Sequence, residues 1–327
     1  MPKIRRAHHL VPRFLLAGFT ESLDVRSRLS VSDLRTGKQW WSKPENCGHK
    51  RDFYSVEKLK IPKDAVEEIL GDIEGKAAPL VRGIVRNRAL PARGTEQLKL
   101  LLAFIGLLAT RGPVSRSRVN ESLDQLAWLL LEREQNPSDS FERFREAMLA
   151  QGSAIEDLPT LEDISRLADR REYRFELSKD SHLRRIFESA ELIVPYLVER
   201  KWSILVSTSG SFICSDEAVS LSSSVPMKKF SPLGYAHHYT EVTVPLDRST
   251  MLIGSYNNRS PIEFLNRIDV AYYNTLRATQ GDRFLFAGTH TFPWLDSNRC
   301  VRLGSAGLGE LIATRPKVNV GSLFDKS

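Results

Sequence analysis

Two adjacent histidines near the start of the chain, His8 and His9, have the clearest potential for chemistry. Imidazole is the side chain that changes its charge or binds a metal ion close to neutral pH. The pair precedes Pro12, which favours the first turn of a helix, and an apolar run that continues to Phe19. We therefore expect a short helix that packs into the core and holds the histidines at a fixed point. Because neighbouring side chains point in different directions, we expect one functional histidine and one that packs or orients. The alternative is that the pair is a polar lead-in that caps the helix.

Two arginines and an aspartate are candidate partners of these histidines. Arg13 stands just inside the predicted helix, and Arg51 and Asp52 lie in a loop rich in polar residues: Asn46, His49, Arg51, Asp52 and Tyr54. A guanidinium binds a phosphate or carboxylate through two parallel hydrogen bonds. Asp52 could orient a histidine or neutralise Arg51. The alternative is a loop held together by its own ion pairs.

A glutamate and an arginine mark two predicted helices. Apolar residues at three- and four-residue spacing predict a helix around Glu74, and a second helix from an N-cap at Thr95 to Arg111. If the two helices form an antiparallel hairpin, Glu74 and Arg111 face a common centre. The alternative is an internal ion pair that fixes the register of the helices.

Asp216 is the remaining candidate acid. It directly follows a strand-like segment predicted over Ser211–Cys214. Loops held at the ends of strands often carry catalytic or ligand-binding groups. The alternative is that Asp216 caps the following turn.

Composition limits the class of protein. The chain has 327 residues, is 41% hydrophobic and carries a formal net charge of +7. The positive excess favours anionic partners such as nucleic acid, although charge of this size can also simply prevent the molecules of a soluble protein from associating with one another. Three cysteines without a CxxC pair argue against a disulfide framework, which favours a reducing cytoplasm. We expect neither a signal peptide nor a membrane span, because the longest apolar run covers only Leu98 to Ala109.

The order of predicted elements indicates an α+β protein. We predict a single domain over 1–327, with an N-terminal motif and hairpin in 1–60, a helical region in 61–200 and a strand-rich α+β region in 201–327. The core is expected to be mainly helical, with a mixed or antiparallel sheet built from N-terminal and C-terminal strands. Further expectations are a hairpin over 28–41, helices over 117–135, 141–149, 161–170, 181–199 and 261–279, and an irregular tail from 289.

The chain resembles the bacterial family DUF4238. The resemblance rests first on residues 8–19, which are similar to the family's opening HHxVPxxxLxxF pattern. It continues in the hairpin segment 31–37, in the run Arg51–Tyr54, and in Glu74 and Arg111. Residues 213–219 are similar to the family's FxxSDxPV, with Ala218 in place of the proline. The match covers most of the chain, but the family carries no assigned reaction.

The leading hypothesis for function is a phosphodiesterase or nuclease, with RNA favoured over DNA, in the role of a toxin or phage-defence effector. The chain lacks the GxxxxGK[ST], GxGxxG, HExxH and GxSxG patterns, which argues against several common enzyme classes. His8 or His9 would be the general acid or base, and Arg51 and Arg111 would stabilise charge on the phosphoryl group.

Glu74 and Asp216 would orient the histidine or hold a divalent metal ion, whose involvement the sequence leaves open. Two alternatives stay open as well. One is a non-catalytic binding module in which the same residues form a buried polar network. The other is a small-molecule hydrolase. The oligomeric state is unknown from sequence.

Overall fold

The computed structural model describes residues 7–51, 53–54, 65–117, 142, 145–146, 160, 179–225 and 233–313. The chain divides into two compact units, one of Met1–Arg116 and Lys179–Val320 and one of Ser117–Ser178 and Gly321–Ser327. Every helix and strand named below lies in the first unit. The helices predicted over 117–135, 141–149 and 161–170 lie almost entirely outside the described residues.

The first four helices begin close to the residues that the sequence indicates. Their bounds are α1 Arg13–Ala17, α2 Ala65–Asn87, α3 Glu96–Thr110, α4 Lys179–Glu199, α5 Arg267–Gln280 and α6 Leu308–Ala313, with a 3-10 helix over Pro44–Asn46. Pro12 is the N-cap residue of α1. The predicted cap at Thr95 is confirmed, because its hydroxyl accepts a hydrogen bond from the Leu98 amide at 3.3 Å. Among the described residues, no helix combines the length and apolar character that crossing a membrane requires.

The strands form four sheets in the described part of the chain. Their bounds are β1 Ala7–His9, β2 Leu29–Asp33, β3 Gln39–Ser42, β4 His49–Arg51, β5 Lys201–Ser207, β6 Cys214–Ser215, β7 Ser220–Ser223, β8 Thr240–Pro245, β9 Thr250–Ser255, β10 Ile262–Leu265, β11 Phe284–Ala287, β12 Pro293–Leu295 and β13 Val301–Leu303. β1 pairs with β4, and β12 pairs with β13. The mixture of helices and sheets confirms the α+β class.

A four-stranded antiparallel sheet joins the two ends of the chain. Its order is β3-β2-β11-β6, so the predicted N-terminal hairpin pairs through β2 with β11, and β11 pairs in turn with β6. The hairpin register places Val31 opposite Trp40 on one side and opposite Phe286 of β11 on the other. The prediction of a sheet shared by N-terminal and C-terminal strands is therefore confirmed.

A five-stranded sheet has the order β10-β5-β9-β8-β7, in which only the β10–β5 pair is parallel. The prediction of a helix from residue 261 is wrong at its start, because Ile262–Leu265 form β10 beside β5. The helix begins only after Asn266, whose side chain accepts from the amides of Ile268 and Asp269. This capping box fixes the boundary. The prediction of an irregular tail from 289 is also wrong, because β12, β13 and α6 lie there.

Helices and strands share one main hydrophobic cluster, which includes Leu15 of α1, Phe104 of α3, Leu252 of β9 and Phe286 of β11, all buried. α3 packs closely on α4 at Gly106, where a Cβ atom would lie 3.0 Å from Val194 Cγ2. Because α1 belongs to this cluster, the strand directly before it is held in a fixed place.

Candidate functional site

The two histidines lie on a short antiparallel ribbon formed by β1 and β4. His9 is directly opposite His49, and the ribbon continues into a hydrogen bond from the Leu10 amide to the Gly48 carbonyl at 2.8 Å. Gly48 has φ +65°, and a Cβ atom there would lie 2.9 Å from Leu16 Cδ1. Glycine is therefore required for the ribbon to fit against α1.

His8 points toward the loop after β4. Its ring is fully buried and stacks on the ring of Tyr54, with centroids 5.6 Å apart and planes 6° from parallel. The Tyr54 amide donates to His8 Nδ1 at 2.6 Å, so this nitrogen acts as an acceptor. His8 thus holds the loop in place, while His9 points elsewhere, as expected for neighbours on a strand.

Arg111 connects three segments. Its Nε donates to the Leu10 carbonyl at 3.0 Å, and its Nη1 donates to Glu74 Oε1 at 2.7 Å. The hydroxyl of Tyr54 in turn donates to the Arg111 carbonyl at 3.1 Å. The guanidinium is buried, whereas the Glu74 side chain is 22% exposed. The structure therefore places Glu74 and Arg111 in direct contact and attaches both to the chain beside the histidines.

His9 is held as a neutral imidazole. Arg13, which is exposed at the start of α1, donates through Nε to His9 Nε2 at 3.1 Å. Burial, together with the positive charges of Arg13, His49, Arg111 and His8, lowers the pKa of His9 to about 3. With Nε2 as an acceptor, the ring proton of the neutral form belongs on Nδ1.

Three buried nitrogen atoms around His9 have no hydrogen-bond partner within the described part of the chain: His9 Nδ1, His49 Nδ1 and Arg111 Nη2. The ring centroids of His9 and His49 are 5.4 Å apart, and the positive charge of Arg111 contributes to the lowered pKa of His9. A buried donor without an acceptor costs about 1–3 kcal/mol. Arg111 Nη2 is a donor, His9 Nδ1 is a donor in the tautomer given above, and His49 Nδ1 is a donor in one of its two tautomers. An anion with several oxygen atoms could accept from these nitrogens and offset the positive charge around them.

Two glutamates near this site were not predicted from the sequence. Burial raises the pKa of Glu67, which interacts with His8 and accepts a hydrogen bond from the His9 backbone. Glu217 accepts from the Val114 amide at 2.6 Å and lies against Gly112, where a Cβ atom would be 2.2 Å from its Oε2. Glu67 precedes Glu74 by seven residues, a spacing that puts both on one helix face and could have identified it.

Asp216 makes its hydrogen bonds in another part of the fold. The carboxylate of Asp216 accepts hydrogen bonds from the amides of Asp282, Arg283 and Phe284 at 2.8, 2.9 and 3.0 Å, and so fixes the turn into β11. Burial raises its pKa to about 6. Arg51 is exposed at the end of β4, opposite Ala7. Asp52 lies outside the described residues.

The same geometry bears on metal binding. Among the side chains that the structure describes, no three from His, Cys, Asp and Glu come together as a metal site would require. A divalent ion at the histidines thus stays a prediction, and the arrangement described above consists of imidazole, guanidinium and carboxylate groups alone.

Comparison with known families gives one match. The family model described as "Protein of unknown function (DUF4238)" matches residues 7–291. The chain belongs to this family. The matched region begins at β1 and contains His8, His9, Glu74, Arg111 and Asp216. No curated protein and no solved structure matches the chain.

The low pKa of His9 makes the stability of this DUF4238 protein depend on pH. The unfolded chain binds a proton at His9 near pH 6.5 and the folded chain only near pH 3, so stability falls as pH drops below 6.5. At pH 5 we expect the loss from this group to be about 2 kcal/mol. Urea unfolding of wild type and His9→Gln at pH 7.5 and pH 5 measures it.

The comparison with His9→Gln isolates this group, because Asp216 titrates identically in both proteins. The raised pKa of Asp216 acts in the opposite direction and stabilises the fold as pH drops through about 6. An equal decrease in unfolding free energy in both proteins would show that His9 does not titrate in this way.

Proposed function

We propose that this DUF4238 chain cleaves phosphodiester bonds, with RNA as its preferred substrate. What supports the proposal is the group of buried, unpartnered nitrogen atoms on His9, His49 and Arg111. The oxygens of a phosphodiester accept hydrogen bonds from such donors, and guanidinium groups bind them strongly. The net charge of +7 favours approach of a polyanion.

His9 is the general base in this proposal. A phosphodiester at the site competes for Arg13, because a guanidinium binds an anion more strongly than a neutral imidazole. His9 Nε2 is then released to accept a proton. The negative charge of the substrate also raises the pKa of His9, since it offsets the surrounding cations. A base whose pKa moves toward the working pH when substrate binds is well suited to proton transfer.

The proposed nucleophile is the 2′-hydroxyl of RNA, because the substrate itself holds this group next to the phosphorus atom. It attacks the adjacent phosphorus after His9 removes its proton, and the 5′ oxygen leaves. Arg13 and Arg111 stabilise the charge that develops on the phosphoryl oxygens, and Glu74 positions Arg111. Glu67, whose pKa burial raises, is the proposed source of the proton for the leaving oxygen. This internal nucleophile is the reason for preferring RNA to DNA.

A second candidate function has its own support. His8, Tyr54 and Arg111 already bond to one another and to backbone groups, as in a buried network that specifies a fold. In that case the same residues would hold the ribbon in a protein that binds an anionic ligand without cleaving it. The small-molecule hydrolase of the sequence analysis would use the anion site in the same way, on a smaller ester.

The first test is cleavage of labelled single-stranded RNA and DNA by the purified chain, with and without EDTA. We expect RNA to be cleaved in EDTA to products that end in 2′,3′-cyclic phosphate, and DNA to stay intact. Cleavage that requires a divalent metal ion would contradict the His9 mechanism. RNA binding without cleavage would favour the binding module.

The same reaction suggests a biological role. A ribonuclease acting in the cytoplasm would inhibit growth when it is produced in a bacterial cell, in agreement with a toxin or phage-defence effector.

A further inference from the structure

A groove with a volume of about 470 Å³ lies away from the histidines. It is formed where the chain leaves α2, where α4 ends and where β5 and β10 begin. Arg88 directly follows the end of α2 and is 14 residues from Glu74, a separation that corresponds to about 20 Å along a helix. The groove is therefore a separate feature, of a size that suits a small molecule.

All charged side chains that line this groove are cationic: Arg88, Arg93, Arg200 and Lys201. Within the described residues, none of the four takes part in an ion pair. Arg88 donates instead to the hydroxyls of Thr250 and Ser249. No carboxylate lies in the lining itself, and the nearest acidic influence on Arg200 is the charge of Glu241, which lies outside the lining.

Arg200 is the buried member of this set, with 2% of its surface exposed. It donates to the carbonyls of Tyr235, Thr240 and Gly254 and lies 4.4 Å from the ring centre of Tyr256. Its Nε is buried and has no hydrogen-bond partner. Arg200 is in none of the ion pairs of the described residues, and the charge of Glu241 reaches it only at longer range. Because a buried guanidinium is unfavourable unless its charge and its donors are compensated, an anion in the groove would offset part of this cost.

The rest of the lining is apolar. It consists of aliphatic and proline side chains and the indole of Trp202, whose Nε1 already donates to the Leu197 carbonyl at 2.8 Å. No neutral hydrogen-bonding side chain, such as Ser, Thr, Asn or Gln, lies in the lining. Base edges of a nucleotide would find no side-chain partners here apart from the cations, whereas a hydrocarbon chain needs none.

We propose that the groove binds a free alkyl carboxylate: a linear hydrocarbon chain with one anionic end. The carboxylate contacts the cations, and the chain covers the apolar floor around Leu90, Leu98 and Ile262. Charge complementarity and the apolar lining carry this assignment together, and it is independent of the cleavage reaction proposed for the histidines.

Calorimetric titration of the full chain with dodecanoate tests the proposal, with dodecanol and dodecyltrimethylammonium as uncharged and cationic analogues. We expect only dodecanoate to bind. The double variant Arg93→Glu/Lys201→Glu reverses two exposed charges and should weaken binding about tenfold or more. Val198→Trp narrows the groove without changing charge and should also weaken binding.

The matched control is Arg26→Glu/Arg28→Glu, which reverses two exposed charges in the loop between α1 and β2 and should leave the affinity unchanged. Equal affinity in the two double variants would overturn the proposal, as would equal binding of the cationic analogue. A short RNA that binds wild type but not Arg93→Glu/Lys201→Glu, with no binding of dodecanoate, would identify the groove as a nucleic-acid site and overturn it as well.

Discussion

Replacement of Glu74 by alanine is expected to lower the free energy of unfolding by about 3 kcal/mol. Arg111 is buried and its charge is balanced by Glu74 at 2.7 Å, so removal of the carboxylate leaves an uncompensated cation inside the protein. Breaking a buried pair from one side typically costs about 3–5 kcal/mol, and the partial exposure of Glu74 places the effect at the lower end. Urea unfolding at pH 7.5 measures the difference.

Two further variants separate the charge from the packing. The double variant Glu74→Ala/Arg111→Met should recover part of the loss, because it removes the cation together with its partner. Glu96→Ala breaks the exposed pair with Lys99, in which Glu96 is 86% exposed, and should change stability by less than about 1 kcal/mol. Similar losses in Glu74→Ala and Glu96→Ala would show that the Arg111 pair is not a buried one in solution.

Replacement of His9 by glutamine is expected to reduce RNA cleavage by about 10²–10⁴-fold, the usual contribution of a general base. The glutamine side chain can still accept the hydrogen bond from Arg13, so the ribbon should fold at pH 7.5. The loss should appear in kcat measured with saturating RNA, because the donors on His49 and Arg111 stay in place to bind the phosphate.

His8→Asn provides the comparison on the same strand. Asparagine offers an oxygen near the position of His8 Nδ1 and can accept from the Tyr54 amide, so the loop should keep its place. We expect this variant to be less stable, since it loses the stacked ring, but to cleave RNA at a similar rate per folded molecule. A loss of cleavage in His8→Asn together with full activity in His9→Gln would show that His8, and not His9, is the general base.

Local sequence was sufficient for much of the framework. The hairpin of β2 and β3 and the cap at Thr95 follow from turn and cap residues that act over a few positions. β10 was not predictable in this way, because Ile262–Leu265 become a strand only through pairing with β5, about 60 residues earlier. The start of the following helix depends on the capping side chain of Asn266, which acts locally, so this boundary could have been predicted from the sequence.

The residues of the candidate site divide in the same way, into contacts that local sequence predicts and contacts that depend on distant parts of the chain. The contact between Glu74 and Arg111 follows from two helices packed side by side. The choice between the neighbours Asp216 and Glu217 does not. The amides of the turn into β11 and of its first residue bind Asp216, whereas Glu217 lies against residue 112. His49 reaches His9 through strand pairing across some 40 residues of sequence, which no local pattern encodes.

The unpartnered nitrogens of His9, His49 and Arg111 have a practical consequence for work with this protein. Phosphate and sulfate ions in a buffer would be expected to occupy the same atoms as the proposed RNA substrate. A ligand that binds only the folded state raises the melting temperature in proportion to the logarithm of its concentration. A preparation kept in phosphate buffer would then have a raised melting temperature and, under the proposed function, would cleave little RNA. Dialysis into an organic, weakly coordinating buffer would reverse both properties together.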